Sequence, residues 1–192
     1  MYEPKNYEAL IGAPGFSDQI LKNHFTLYQG YVKNVNTIMQ ELEELVKNGK
    51  AGTPAHSEIK RRFGWEWNGM RLHELYFGNM TKAGGALAAG PFRGDLEKIY
   101  GSFENWEKDF RAVAGMRGIG WAVLYHDVYS GEFFNVWVDE HDMGHLTGAR
   151  PLLILDVFEH AYTLDYGIKK ADYIEAFMKT IDWEVVEARF TN

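Results

Sequence analysis

The apolar residues of the N-terminal stretch keep a single helical rhythm for longer than one isolated helix could use. Ile20, Leu21, Leu27, Tyr28, Tyr31, Val35, Ile38, Met39, Leu42 and Leu45 recur at helical spacing, and the pattern stops at Asn48-Gly49. Ser17 is suited to cap this helix, with Phe16 and Leu21 flanking it as a hydrophobic staple. A stripe of this length must be covered by a partner. After a loop with Gly52 and Pro54, Ser57 is placed to cap a second helix to about Asn79, with Ile59, Phe63, Met70, Tyr76 and Phe77 inward. The simplest arrangement is an antiparallel helical hairpin.

A break follows from Ala83-Gly84-Gly85 to Gly90-Pro91, and the domain boundary is expected there: 1–84 a hairpin domain, 85–192 an α/β domain. Asp95 to Ala114 is again helical in pattern. Ile119 to Tyr129 and Glu132 to Val138 are then rich in aromatic and β-branched residues, with Ser130-Gly131 as the turn of a β-hairpin. Leu152 to Leu155 is a candidate third strand, and helix is expected from about Phe158 and over Ala171 to Arg189. The expected class is α+β: an antiparallel helical hairpin, then an α/β domain with a small three-stranded antiparallel sheet.

The bulk properties exclude several functions. A net charge of -7, with no basic cluster, argues against sequence-independent nucleic-acid binding. The chain has no cysteine, which excludes disulfides, thiolate metal sites, iron–sulfur clusters and thiol catalysis and suits a reducing compartment. No stretch approaches the roughly 20 apolar residues that span a bilayer, so no membrane association is expected. Met1 to Asn6 carries no apolar signal segment, and the expected location is the cytoplasm.

Chemistry has to come from the histidines and carboxylates. In Asp156-Val-Phe-Glu-His160 the two end residues are four apart, so on a helix they would share a face, and the apolar run before them directs the pair inward. A buried carboxylate is costly unless paired or metal-bound. The spacing alone fits an ordinary Asp–His hydrogen bond as well as a ligand pair. His24 and His73 each lie on the apolar stripe of their helix, where a lone histidine is commonly a core residue. Taken together, three imidazoles and one carboxylate suit iron, manganese or zinc. Competing motifs are missing: His73-Glu-Leu-Tyr-Phe77 lacks the second histidine of a zinc-protease helix, no Glu-x-x-His occurs, and no glycine-rich phosphate loop precedes a helix. Gly118-Ile-Gly120-Trp121, at the start of a strand-like run, reads as a segment where glycine permits close packing. His56, His126 and His145 read as surface or loop residues.

At this point a family resemblance enters. Asp156-Val-Phe-Glu-His-Ala-Tyr162 resembles the Asp-Val-Trp-Glu-His-Ala-Tyr signature of iron/manganese superoxide dismutases. The similarity continues through Leu164-Asp165-Tyr166, Asp172-Tyr-Ile174, Ala176-Phe177 and Trp183 to Phe190. Gly118-Ile-Gly-Trp-Ala122, Gly30-Tyr-Val-Lys-Asn34 and Leu72-His-Glu-Leu-Tyr-Phe77 match further family segments, in the right order over nearly the whole chain.

The resemblance implies disproportionation of superoxide at one iron or manganese ion per subunit, held by His24, His73, Asp156 and His160. It implies a gateway role for Tyr31 and a pocket-lining role for Trp121. It places Lys169 near the substrate entrance, where the family has an arginine. Glu159 matches a glutamate that crosses the interface to the partner's ligand histidine, which implies a homodimer, or a tetramer built from it. Family members also place a glutamine beside the metal-bound solvent. One branch takes it from the position of Gly69, which has no side chain here. The other takes it from the position of His141, in Asp139-Glu-His-Asp142. His141 is therefore expected to fill the space at Gly69 and bond that solvent.

There are departures. The stretch from His24 to Tyr31 is one residue shorter than usual, a change that can add or remove a π-bulge. Tyr28 and Thr163 replace a histidine and a tyrosine that meet across the family interface, and Phe158 and Phe77 replace tryptophans. Two other classes stay open from the residues alone: a zinc metallohydrolase using the same ligands, and a non-enzymatic relative that keeps the fold.

Overall fold

The computed structural model describes residues 1–191. Helix α1 spans Asp18–Lys47, and Ser17 caps it by accepting from the Ile20 amide. Helix α2 spans Pro54–Gly78 and returns antiparallel to it. Its cap is Thr53, which accepts from the His56 amide, and not Ser57. Pro54 at the first helical position is the reason: its missing N–H and fixed φ suit a helix start. The helices meet at the end nearer the rest of the chain, where Ile20, Leu21, His24, Phe25, Tyr28, Val32 and Val35 of α1 are buried. Helix α1 is α-helical throughout, with no π turn. Tyr31 therefore lies seven residues, or about two turns, after His24 and on the same face.

The expected helix over Asp95 to Ala114 is two helices, α3 (Pro91–Tyr100) and α4 (Phe103–Ala114). Gly101, at φ 82°, ends the first, and Ser102 caps the second. Three strands follow, β1 (Gly120–His126), β2 (Phe133–Asp139) and β3 (Arg150–Asp156), in the antiparallel order β2-β1-β3. Gly120 is required for close packing, because a Cβ there would lie 2.1 Å from the Val138 carbonyl oxygen. After β3 the chain makes a 3₁₀ turn (Glu159–Ala161) and a short helix α5 (Thr163–Tyr166). The C-terminal helix divides into α6 (Lys170–Met178) and α7 (Trp183–Thr191), separated by a bridge between Ile181 and Met80.

Two clamps join the hairpin and C-terminal helices to β3. The fully buried Asn79 side chain accepts from the Ile154 amide at 2.9 Å and donates to the Ile154 carbonyl at 3.2 Å. It thereby covers the open edge of β3 with hydrogen bonds that a neighbouring strand would otherwise make. The Tyr173 hydroxyl on α6 donates to the Asp156 carbonyl at 2.7 Å and meets the Tyr76 hydroxyl at 3.1 Å. The end of β3 is thus fixed against α2. No helix among the described residues is long and apolar enough to cross a membrane.

Candidate metal centre

Four side chains from four elements converge where α1, α2 and the end of β3 meet. His24 comes from α1, His73 from α2, Asp156 from the last position of β3 and His160 from the 3₁₀ turn. Asp156 and His160 do not share a helix, as their spacing suggested; the strand ends at one and the turn carries the other back. Asp156 Oδ2 lies 3.1 Å from His24 Nε2, 3.4 Å from His160 Nε2 and 3.7 Å from His73 Nε2. One ligand atom from each of the four residues lies within 4.8 Å of every other.

The neighbours orient these groups. His73 Nδ1 donates to the Gly69 carbonyl at 2.6 Å, which fixes the tautomer and leaves the Nε2 lone pair facing the cluster. Asp156 Oδ1 accepts the Phe158 amide at 2.8 Å, leaving Oδ2 for the imidazoles. The Nε2 atoms of His73 and His160 are buried with no hydrogen-bond partner. Buried polar atoms are rarely left so, and acceptor atoms that converge on one point are what a cation requires.

The electrostatics agree. Burial pushes the His24 imidazole below its ordinary value, against its hydrogen bond to Asp156. Burial also pushes His73 well down, helped by repulsion from His24. Both rings are therefore held neutral, the form that binds metal. Burial acts to lower His160 too, but the charge of the nearby Asp156 outweighs this and raises it. Burial would raise Asp156, yet its bonds and charge interactions with His160 and His24 keep it ionised, far below the usual carboxylate range. Three imidazole nitrogens and one carboxylate oxygen are a donor set that fits iron or manganese, and a bound cation would displace the proton that Asp156 favours on His160.

An aromatic wall closes the cluster. Phe77 lies edge-on to His24 with ring centroids 4.9 Å apart. Trp121 lies edge-on to His73 at 5.0 Å and pairs directly with Asp156 across the sheet. Phe158 stacks on His160 at 5.3 Å and on His141 at 4.8 Å. Tyr31 stacks on His73 at 5.1 Å.

His141 is completely buried beside this wall, on the loop from β2 to β3. Trp121 Nε1 donates to its Nδ1 at 3.1 Å, and its Nε2 meets the Tyr31 hydroxyl at 2.7 Å. An indole N–H can only donate, so in neutral His141 the proton sits on Nε2 and is given to Tyr31. Burial lowers the His141 imidazole to about 4. Two parts of the expectation change. The space at Gly69 is filled by Tyr31, because a Cβ there would lie 2.7 Å from the Tyr31 ring. Both nitrogens of His141 are also already engaged, so its polar link toward the cluster runs through the Tyr31 hydroxyl.

Other expected residues fall differently. Lys169 is exposed, and the inward lysine is Lys170, which donates to the Met116 carbonyl at 2.9 Å and lies over the Trp137 ring. Glu159 is exposed, one residue from His160. Tyr28 turns away from the cluster: its hydroxyl donates to Glu74 at 3.0 Å and accepts the Lys5 amide at 2.9 Å. Sequence reasoning missed Trp65, which packs 4.4 Å from His141 and 5.6 Å from Tyr31 and donates to Glu140 at 2.9 Å. It precedes His73 by two helical turns, and that spacing was the available signal. His145 is a loop residue, half-buried, as expected, whereas His56 on the first turn of α2 and His126 at the end of β1 are half-buried and lie outside loops.

Comparison with known proteins covers nearly the whole chain. Residues 3–81 match the family model described as iron/manganese superoxide dismutases, alpha-hairpin domain, and residues 88–189 match the C-terminal domain of the same family. A Haloferax volcanii protein named superoxide dismutase (Mn) 2 is 38% identical over 188 residues, covering 97% of this chain and 92% of its own. An Aquifex pyrophilus protein named superoxide dismutase (Fe) is 34% identical over 193 residues, covering 98% of this chain and 90% of its own. With both family models matched in order and relatives aligned over nearly all of its length, the chain belongs to the iron/manganese superoxide dismutase family.

Proposed function

We propose that His24, His73 and His160, through Nε2, and Asp156, through Oδ2, hold one iron or manganese ion, and that the protein disproportionates superoxide. The observation that carries this is the convergence of four ligand atoms, two of them buried nitrogens without partners, in a member of this family. When bound, the ion supplies one-electron redox chemistry, so that one superoxide is oxidised to dioxygen and a second is reduced, with two protons, to hydrogen peroxide.

The chain's own residues set the conditions. Asp156 is the one anion of the cluster, so a divalent or trivalent ion keeps net positive charge and attracts an anionic substrate into an acidic protein. Phe77, Trp121 and Phe158 exclude bulk water and admit only small species. His141 Nε2–H donates to the Tyr31 oxygen, which frees the Tyr31 O–H to face the substrate side and deliver a proton there. Purified protein reconstituted separately with iron and with manganese should bind about one ion per chain and dismutate superoxide with at least one of them. Binding without dismutation by either would favour a non-redox hydrolase.

The subunit is read as half of a homodimer at minimum. The exposed Glu159 adjoins His160, whose ring is the ligand nearest the surface, at 28% exposure. A partner's carboxylate at that ring would orient it and raise its basicity. Glu159→Ala should weaken both association and metal retention; monomeric, fully active wild-type protein in sedimentation would refute this. A cytoplasmic location is proposed, with which the cysteine-free composition is compatible, and cell fractionation tests it.

A further inference from the structure

The loop from β2 to β3 carries a second histidine that the chemistry above leaves unused. We propose that His145 is a positioning residue for the metal centre: by bridging the Tyr125 hydroxyl and the His141 carbonyl, it fixes the loop that presents the His141 ring to Trp121 and Tyr31. The inference rests on the reading of His141 given above.

His145 Nε2 lies 2.9 Å from the His141 carbonyl oxygen, and Nδ1 lies 2.7 Å from the Tyr125 hydroxyl. A carbonyl only accepts, so Nε2–H donates to it, and Nδ1 of the neutral ring accepts the Tyr125 O–H. Both ring nitrogens are therefore committed, and each has one role.

The layout gives this bridge its purpose. Trp121 and Tyr125 are four apart on the central strand β1, so they share a face of it. Trp121 grips the His141 ring; Tyr125, through His145, grips the His141 main chain. One strand thus holds one loop residue at two points. The loop needs such holds. Asp139 and Met143 exchange backbone hydrogen bonds of 2.8 and 3.3 Å around a tight turn. Within that turn Glu140 has φ 47°, a left-handed conformation that a residue with a side chain adopts at a cost. Strain of this kind persists where the surroundings over-determine it. A third hold, from Trp65 to the Glu140 carboxylate, acts on the residue just before His141.

The test compares wild type, His145→Ala, His145→Gln, Tyr125→Phe and His141→Gln, each metal-free and loaded with manganese. Metal content, turnover, the manganese paramagnetic resonance spectrum and amide hydrogen exchange over residues 139–143 are measured. His145→Ala should keep the metal, lower turnover about tenfold, the lower end for residues that orient a metal site from behind its ligands, alter the spectrum, and speed exchange at Met143 in the metal-free protein. His145→Gln, whose amide can donate to the carbonyl and accept from Tyr125, should restore all three. Tyr125→Phe should act in the same direction and carries the test if His145→Ala fails to fold. Wild-type exchange and spectrum in His145→Ala and Tyr125→Phe, or no recovery in His145→Gln, would overturn the proposal. A wild-type spectrum in His141→Gln would overturn the reading of His141 instead, while exchange in the metal-free variants still decides whether His145 holds the loop.

Discussion

Asp156 and Glu74 are both buried carboxylates packed against the helical hairpin, and their neighbours compensate them in opposite ways. Glu74 is surrounded by donors: Arg71 at 2.5 Å, Lys5 at 3.3 Å and the Tyr28 hydroxyl at 3.0 Å. Asp156 faces imidazole nitrogens, of which those of His73 and His160 have no hydrogen-bond partner. The first cluster is closed, one carboxylate against two cations. The second gathers lone pairs that repel one another unless a cation lies among them. The two share the same helices: His73 and Glu74 are adjacent on α2, and His24 and Tyr28 are one turn apart on α1. What separates a metal centre from a structural ion cluster is therefore the inventory of donors and acceptors, not burial or charge.

The comparison breaks most sharply at Asp156. Asp156→Ala leaves three neutral ligands around a highly charged cation, and metal affinity and dismutation should fall by well over about a hundredfold, more than for loss of a residue behind the ligands. Metal analysis after gel filtration, with an activity assay, checks this. Glu74→Gln should do the reverse. It removes the charge that Arg71 and Lys5 neutralise, and because both cations reach solvent the cost in denaturant titration should be about 1–2 kcal/mol, while metal content stays at the wild-type level. Loss of metal from Glu74→Gln would show that the two clusters are not separable.

A smaller effect comes from pH. In the metal-free protein, His24 and His73 are lowered by burial from the ordinary value of 6.5, so the unfolded chain takes up protons first as the pH falls. Their contribution is present above about 6.5 and lost below it. His160 is raised, so its contribution has the opposite sign and partly offsets this. Asp156 is depressed, and its contribution fades only when the pH falls below the usual carboxylate range. With His24, His73, His126 and His141 lowered and only His160 raised among the shifted histidines, the metal-free protein should melt lower at pH 5 than at pH 7.5, by about 3 °C for roughly 1 kcal/mol at this size. Calorimetry showing a higher midpoint at pH 5 would reverse the assignment.

The sequence made the hairpin and the three strands legible, because each is written in a local period, whereas the four clustered residues were singled out by the ordered resemblance to the family, local spacing alone fitting ordinary core histidines as well. Ser17 as the cap of α1 and the Gly118-to-Trp121 segment as a place of close packing were readable from the local sequence too. Local signals misled where two structures share one spacing. Asp156 and His160 are four apart both on a helix and across a strand end and a 3₁₀ turn. Ser57 looked like a cap, but Pro54 had already set the helix start at Thr53. Contacts between distant segments left no local trace: Tyr31 filling the space at Gly69, Trp65 over His141, and His145 holding the loop all depend on how α1, α2 and β1 come together.

The central claim is that one ion sits among His24, His73, Asp156 and His160 and none sits at Glu74. Anomalous scattering from crystals of manganese-loaded protein, recorded on both sides of the manganese absorption edge, tests it directly. The account predicts a single strong peak per chain within bonding distance of the three Nε2 atoms and Asp156 Oδ2. No peak there, or a peak of equal strength beside Glu74, would contradict it.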